Sequence, residues 1–235
     1  GSSELKVSEI GFGAMSLDVN ESLKSSDLIK SAYDQGINYF DTADLYDKGA
    51  NEMLVGAAVS SFRKDIVLAS KVGNKWRSDG IGWDWDVSPL YIQKAVEDSL
   101  RRLQTDYIDL YQLDNPSILP ELGGDDRIVE KLLTLKRDGI IHHFGIATEN
   151  YEMAKKVLVS SVEWETLQVP FNILCSDYVA SLVDECKKKD IGFVAMQPLC
   201  GGIIQNIPLA VGFFNQFEST VPLWGAHTED ELQQI

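Results

Sequence analysis

Short apolar runs recur along the whole of this chain, and each is followed by a segment whose apolar residues return at helical spacing. The runs are SEIGFGAM, INYFDTA, IVLASKV, YIDLYQL, HFGIAT, LQVPFN, GFVAMQPL and STVPLWG. Between them lie amphipathic stretches such as SSDLIKSAYDQG, NEMLVGAAVSSF, SPLYIQKAVEDSLRRLQ, DDRIVEKLLTLKRDG and CSDYVASLVDECKKKD. Alternation of this kind predicts βα units and a parallel sheet. Near-continuous runs such as IVLAS and GFVAM predict strands buried on both faces, which helices packed over a parallel sheet provide. About eight such units close most simply into a (β/α)8 TIM barrel of class α/β. A chain of 235 residues is long enough for one such core, so residues 1–235 are expected to form a single barrel domain.

The punctuation agrees with this reading. Ser88 and Pro89 suit the N-cap and first turn of a helix, and Gly36, Gly139 and Gly192 suit left-handed C-terminal positions. The chain stops inside the helical pattern TEDELQQI, so the last outer helix is expected to be cut short, and the start at Gly1 and Ser2 suggests a clipped or added end.

Composition narrows the function classes. A net charge of −15 argues against a nucleic-acid groove, which needs basic patches to displace counterions. No apolar run approaches the ~20 residues of a membrane helix, and the first residues lack the pattern of an export signal. Cys175, Cys186 and Cys200 form no CxxC pair, so neither a metal knuckle nor a disulfide framework is expected, and a reducing cytoplasm is the expected location.

In a barrel, reactive side chains gather at the carboxyl ends of the strands. Asp41, Lys71, Asp114, Thr148, Gln168 and Gln197 all fall near such ends. Polar residues there also cap helices, so only their agreement in position carries weight. In INYFDTADLY a core strand gives way within a few residues to Asp41 and Tyr46. A free phenol titrates at ~10 and transfers protons poorly near neutrality. An ammonium within ~4 to 6 Å would lower that value, and a carboxylate beside the ammonium would keep it charged. Asp41, Tyr46 and Lys71 thus predict a tuned acid that delivers a proton to a small carbonyl substrate.

The segments VSEIGFGAMSL, GINYFDTADLYDKGANEMLVGAAV, DIVLASKVGNKW, SLRRLQTDYIDLYQL, FGIAT, LQVPFN, IGFVAMQPLCGG and VPLWGAHTEDEL together resemble the aldo-keto reductases nearly from end to end. The resemblance implies a (β/α)8 barrel that binds NADPH or NADH across its carboxyl end. It places Asp41, Tyr46 and Lys71 at three of the family's four catalytic positions, with the tyrosine as general acid. At the fourth, where the family usually has histidine, this chain has Asp114 in YQLDNPS. An ionised aspartate only accepts hydrogen bonds, and a carboxylate ~4 Å from a developing oxyanion would cost about 4 kcal/mol at an effective dielectric near 20. That is roughly three decades of rate. A carboxyl held neutral can instead donate, and the family's steroid double-bond reductases carry a glutamic acid here. The implied activity is therefore reduction of an aldehyde, a ketone or an activated C=C bond. The alternative is a barrel that keeps the cofactor but is catalytically impaired, or is repurposed as a sensor, lyase or epimerase. His142 and His143 enter the next strand at its amino end and are not expected to replace the missing histidine.

For the cofactor, the resemblance implies contacts from Asp41, Thr148, Gln168 and Gln197, and from Pro198, Leu199 and Gly201 in the PLCGG loop. Gly225, Ala226 and Glu231 align with the adenosine end, where a carboxylate would repel a 2′-phosphate but accept from a ribose hydroxyl, so NADH is expected over NADPH. GFGAMS lacks the third glycine of a dinucleotide fingerprint. It reads better as a barrel strand that brings Gly13 and Met15 close to the cofactor. Trp76, Trp83 and Trp85 either line a substrate pocket or pack on the barrel rim.

Overall fold

The computed structural model of the chain describes residues 1–119, 125–175 and 177–235. Its strands are Gly11–Gly13 (β1), Tyr39–Asp41 (β2), Val67–Val72 (β3), Asn74–Trp76 (β4), Trp83–Trp85 (β5), Ile108–Asp114 (β6), Ile141–Ala147 (β7), Thr166–Pro170 (β8), Gly192–Met196 (β9) and Thr220–Trp224 (β10). Eight of them close a barrel in the order β1–β2–β3–β6–β7–β8–β9–β10, every neighbouring pair parallel. This is the (β/α)8 architecture expected from the alternation. The remaining two, β4 and β5, form an antiparallel hairpin in the Trp-rich segment, which the sequence reading leaves as a loop.

Side chains alternate across a strand with period two. Along β3 this divides Val67, Ala69 and Lys71 from Leu68, Ser70 and Val72. The first set faces the barrel interior, where Val67 and Ala69 pack with Tyr39, Leu110, Val194 and Leu223, and where Leu5 and Val7 of the leading segment also pack. The second set faces the helices, and Leu68 and Val72 join the larger core with Phe40, Ile29, Val55, Ile92 and Leu132. Lys71 therefore continues the interior column beyond its apolar layers, toward the carboxyl end.

The helices are Ser22–Asp34 (α1), Ala50–Val59 (α2), Pro89–Leu103 (α3), Arg127–Arg137 (α4), Tyr151–Val159 (α5), Asp177–Lys188 (α6), Ile207–Phe214 (α7) and Glu229–Leu232 (α8). Residue 176, within the candidate helix CSDYVASLVDECKKKD, lies outside the described residues. Ser88 caps α3 by accepting from the Tyr91 N–H at 3.3 Å, with Pro89 in the first turn. Gly36 and Gly139 are left-handed, at φ 98° and 74°. Gly192 is not. The left-handed residue after α6 is Asp190, at φ 59°, and Ile191 N–H closes the helix end on the Cys186 carbonyl at 2.9 Å. The chain turns two residues earlier than expected, and Gly192 opens β9. The helix α7 lacks helical periodicity because nearly all its residues are apolar; Phe213 and Phe214 join Phe171 and Phe217 at ring separations of 5.0 to 6.0 Å.

Charged side chains tie the strands at the amino end. Asp109 accepts from Arg63 at 2.8 Å and from the Leu68 N–H at 2.9 Å. Glu165 meets His143 at 2.6 Å, Lys136 at 2.8 Å and the Phe144 N–H at 3.2 Å, and these contacts hold its carboxyl below the usual range despite its burial. His142 stacks on Tyr107 at 4.6 Å. Both histidines are thus committed at the end of the barrel opposite Lys71. Among the described residues, no helix is long and apolar enough to cross a membrane, and no cluster of metal-ligating side chains occurs.

Close packing of α2 on α3 requires Gly56, where a Cβ would lie 2.5 Å from the Leu103 carbonyl carbon and Cα. Those are backbone atoms and cannot rotate aside. Gly56→Ala should destabilise the fold by about 1–3 kcal/mol, the range for overpacking, as read from urea melts.

Candidate active site

The strand β2 ends at Asp41, yet its ladder to β3 continues: Thr42 N–H bonds the Ala69 carbonyl at 3.0 Å and Asp44 N–H bonds the Lys71 carbonyl at 3.3 Å. This carries the chain alongside Lys71 before it turns at Tyr46. The turn uses three successive left-handed residues, Asp47, Lys48 and Gly49, at φ 48°, 56° and 90°. Two of these are not glycine and carry strain of order 1–3 kcal/mol each. Asn51 holds the turn in place, accepting from the Thr42 hydroxyl at 2.7 Å and donating to the Ala14 carbonyl at 2.8 Å.

Lys71 is 2% exposed and Asp41 3%. The ammonium bonds Asp41 Oδ1 and donates to the Thr42 carbonyl at 2.8 Å. It lies 5.3 Å from the centre of the Tyr46 ring. Burial opposes the charged ammonium, but attraction from Asp41, Tyr46 and Asp114 outweighs it and lifts Lys71 above the ordinary lysine range. Burial also raises Asp41, with Lys71 pulling it partly back.

Tyr46 corrects an expectation. Burial raises its phenol above the ordinary 10.0; Lys71 pulls it down only in part, and Asp41 and Asp114 push it further up. The net shift is upward because the cost of burying a phenolate exceeds the attraction of one ammonium already shared with a carboxylate. Tyr46 is therefore a neutral O–H near neutrality.

Asp114 is the last residue of β6, on the same interior face as Gln112 and Leu110. Its Oδ2 accepts from Asn74 Nδ2 at 2.7 Å and its Oδ1 from Asn115 Nδ2 at 3.3 Å. The Trp85 indole N–H donates to its backbone carbonyl at 3.2 Å. Burial raises the carboxyl, Lys71 and the Asn74 bond lower it, and Asp41 and Glu149 raise it again, for a net upward shift. Asp41, Tyr46, Lys71 and Asp114 thus gather within mutual electrostatic reach at the carboxyl end.

The remaining expected positions spread from this centre. Gly13 pairs in register with Asp41, and Met15, in the following turn, is 70% exposed. Gln168 lies two residues inside β8, where its Oε1 accepts from Gln112 at 2.8 Å. Thr148 is buried just beyond β7; its N–H bonds the Gln168 carbonyl at 2.9 Å, and its hydroxyl accepts from the Asn150 N–H at 3.1 Å. Gln197, left-handed at φ 57°, donates to Glu149 at 3.1 Å. Pro198 is buried beside it.

Several features fit an extended dinucleotide. Beyond Pro198 the chain is left-handed at Cys200, Gly201 and Gly202, and Cβ atoms at both glycines would meet nothing within 4 Å. Cys200 and Gly202 N–H groups close turns onto Gln197 and Leu199; those of Leu199 and Gly201 take no part in these turns and suit a phosphate. Among the described residues, Asp41 Oδ2, with the Gln168 amide nearby, is buried without a hydrogen bond of its own and would accept from a ribose hydroxyl. Ser16 Oγ is likewise buried and unpaired, and a Cβ at Gly225 would come within 2.7 Å of it. Ala226 is buried beside Gly225, and Glu231 Oε2 accepts from the His227 N–H at 2.7 Å. A cavity of about 180 Å³ adjoins this end, bounded by Ser16, Lys24, Ser25 and His227 among others.

The sequence did not single out Gln112, Asn74 or Ser16. Period two along β6, counted back from Asp114, was a signal for Gln112; nothing local marked the other two.

The aldo/keto reductase family model matches residues 9–217. The uncharacterized oxidoreductase YqkF of Bacillus subtilis is 38% identical over 217 residues, covering 89% of this chain and 66% of that protein. The aldo-keto reductase AKR11C1 of Bacillus halodurans, in its holo form, superposes with a TM-score of 0.89 at 32% identity, over 99% of this chain and 87% of that one. An aldo-keto reductase of Klebsiella pneumoniae solved in complex with NADPH shares the fold, with a TM-score of 0.81 at 23% identity over 97% of this chain and 84% of that one. The chain spans 61 to 66% of the length of the curated relatives it matches. On the family match and the shared barrel, the chain belongs to the aldo/keto reductase family.

Proposed function

We propose that residues 1–235 form one barrel domain of a nicotinamide-dependent oxidoreductase that reduces an aldehyde or ketone, with Tyr46 as proton donor. The observation that carries this reading is the Lys71 ammonium, buried between Asp41 and the Tyr46 ring. The cofactor would be held by Asp41, Gln168, the Leu199–Gly201 backbone and Gly225, with Gly13, Met15, Thr148, Gln197, Pro198 and Ala226 shaping the groove. When bound, it supplies the hydride that no side chain here can donate.

Tyr46 keeps its proton near neutrality because burial outweighs the pull of Lys71. It gives that proton to the carbonyl oxygen, and the ammonium stabilises the phenolate left behind. Asp41 holds the lysine charged and in place. Asp114 faces the same oxygen. Ionised, it opposes the charge that develops there; protonated, it donates a hydrogen bond to it. The upward shift supports the second state as pH falls, against the pull of Lys71 and of the Asn74 bond; because Asn74 occupies Oδ2, Oδ1 is the oxygen that would carry the proton. The same protonated carboxyl favours reduction of an activated C=C bond as a second reading.

The adenosine end favours NADH. Residues 221–235 contain no lysine or arginine, Glu229, Asp230 and Glu231 stand together there, and Lys24 beside the cavity is paired with Glu21 at 3.1 Å. The Glu231 carboxylate, fixed on the His227 backbone, would repel a 2′-phosphate.

Tyr46→Phe should lower aldehyde turnover by about 10²- to 10⁴-fold while NADH fluorescence still reports binding. NADH binding without turnover of any aldehyde or enone in the unaltered protein would replace this reading with that of a sensor. Carbonyl reduction should climb as pH falls through the raised Asp114 range, since protonating Asp114 removes a charge and adds a donor. Asp114→Asn should raise the neutral rate and flatten that climb; an unchanged profile would remove Asp114 from the reaction. Titration should show tighter binding of NADH, and NADPH binding about tenfold tighter, a 1.4 kcal/mol difference, would refute the preference.

A further inference from the structure

Where the Tyr46 ring stands depends on one peptide group. The atoms from Leu45 Cα to Tyr46 Cα lie in a single rigid plane. Fixing the Leu45 carbonyl therefore fixes the Tyr46 N–H and the backbone from which the phenol projects. The plane is held at both ends: Tyr46 N–H bonds the Ala43 carbonyl at 3.2 Å, and the Leu45 carbonyl accepts from the Lys48 N–H at 3.2 Å. Both bonds are local to a turn whose left-handed residues Asp47 and Lys48 carry strain. A third bond comes from outside the turn. The Trp76 indole N–H donates to the same Leu45 carbonyl at 2.9 Å.

The hairpin of β4 and β5 holds that indole still. Its register pairs Asn74 with Trp85 and Trp76 with Trp83. Directly paired residues project to one side and alternate along each strand, so Asn74, Trp76, Trp83 and Trp85 share one face. Asn74 and Trp85 fasten this face to the end of β6, at Asp114 Oδ2 (2.7 Å) and at the Asp114 carbonyl (3.2 Å). Trp83 meets the Trp76 ring edge-on, with ring centres 5.9 Å apart at 77°. Lys48 lies 4.9 Å from the centre of the Trp76 ring and reaches the Gly80 carbonyl at 3.5 Å. In the barrel, β3 separates β2 from β6. One face of the hairpin thus spans β3 and ties the turn that carries Tyr46 to the strand that carries Asp114.

From this geometry we propose that Trp76 is a positioning residue, which through the Leu45 carbonyl keeps the Tyr46 ring seated beside the Lys71 ammonium. Its N–H is spent on the backbone and acts on the reaction only through Tyr46. A reacting group displaced by about 1 Å can lose about 10²-fold in rate, so one indole hydrogen bond carries a large kinetic consequence. The inference rests on the reductase reading for that consequence, but not for the constraint on the turn.

The test replaces Trp76 by phenylalanine and, separately, by benzothienylalanine, which keeps the two-ring shape and exchanges the N–H for sulfur. Both changes should lower kcat for an aliphatic aldehyde such as propanal by about 10- to 100-fold, with little change in KM or in NADH affinity. The solvent deuterium isotope effect on kcat should grow as proton delivery becomes the slow step. A full rate in the benzothienylalanine protein, or a raised KM with kcat intact, would overturn the proposal. Because the analogue fills the same space, it decides the matter even where Trp76→Phe fails to fold. The constraint itself is read without turnover, by amide hydrogen exchange of residues 43–49. That segment should exchange about fivefold faster in both variants, while β6 is unchanged. If the unaltered protein reduces no carbonyl compound, the reductase reading fails and exchange alone decides the positioning role. Faster exchange confined to the turn supports it, and unchanged exchange rejects it.

Discussion

A charged amine sealed inside a β-barrel is tolerated only when a counter-charge meets it. Removing an ammonium and a carboxylate from water costs several kcal/mol each, and Lys71 and Asp41 meet that demand through their direct bond, helped by the Thr42 carbonyl. The pairing dictates much of the surrounding chain. The carboxylate must end one strand, the amine must stand near the end of the next, and the turn after Thr42 must follow β3 far enough to bring Tyr46 over the amine. The left-handed run at Asp47, Lys48 and Gly49 then reverses the chain into α2.

The two ends of the barrel solve opposite problems. At the amino end, the ion pairs Arg63–Asp109 and Lys136–Glu165 and the hydrogen bond between His143 and Glu165 fix strands β3, β6, β7 and β8 to one another. At the carboxyl end, buried oxygens on Asp41 and Ser16 lack partners among the described residues, and the backbone after Pro198 is left-handed at three residues in succession. Such groups weaken a bare protein and suit a ligand that brings donors of its own. The division matches the general tendency of barrels to keep stability and chemistry on separate faces.

The barrel was legible in the sequence because its signal is repeated: eight apolar runs with two-sided burial leave few other topologies. The gathering of the candidate residues was legible because Asp41, Lys71 and Asp114 sit where strands end, a position that local patterning reveals. What the sequence concealed depends on distance across the fold. The direction of the Tyr46 shift is a balance between burial and a shared charge, and neither can be read from residue types. Asn74 and Asp114 are forty positions apart, and only the closure of β3 against β6, with the hairpin following at once, joins them. The hairpin itself was hidden by its composition, since glycines and exposed tryptophans resemble a loop until register pairs Trp76 with Trp83. Gly192 was misplaced because Asp190 tolerates the left-handed turn that glycine usually supplies.

Among the described residues the hairpin shares no ladder with the barrel sheet, and its grip on the candidate site comes through Asn74, Trp85 and Trp76, the last on the Leu45 carbonyl. Its outer part, from Arg77 to Trp83, is held more lightly, by Lys48 on the Gly80 carbonyl at 3.5 Å and by the contact of Trp83 with Trp76. Substitution in the outer part can therefore reshape the rim of the barrel mouth while the buried Asp41–Lys71 pair stays in place. The segment is in this sense a separate attachment, whose own two-stranded ladder lets its tip vary without unpicking a single barrel strand.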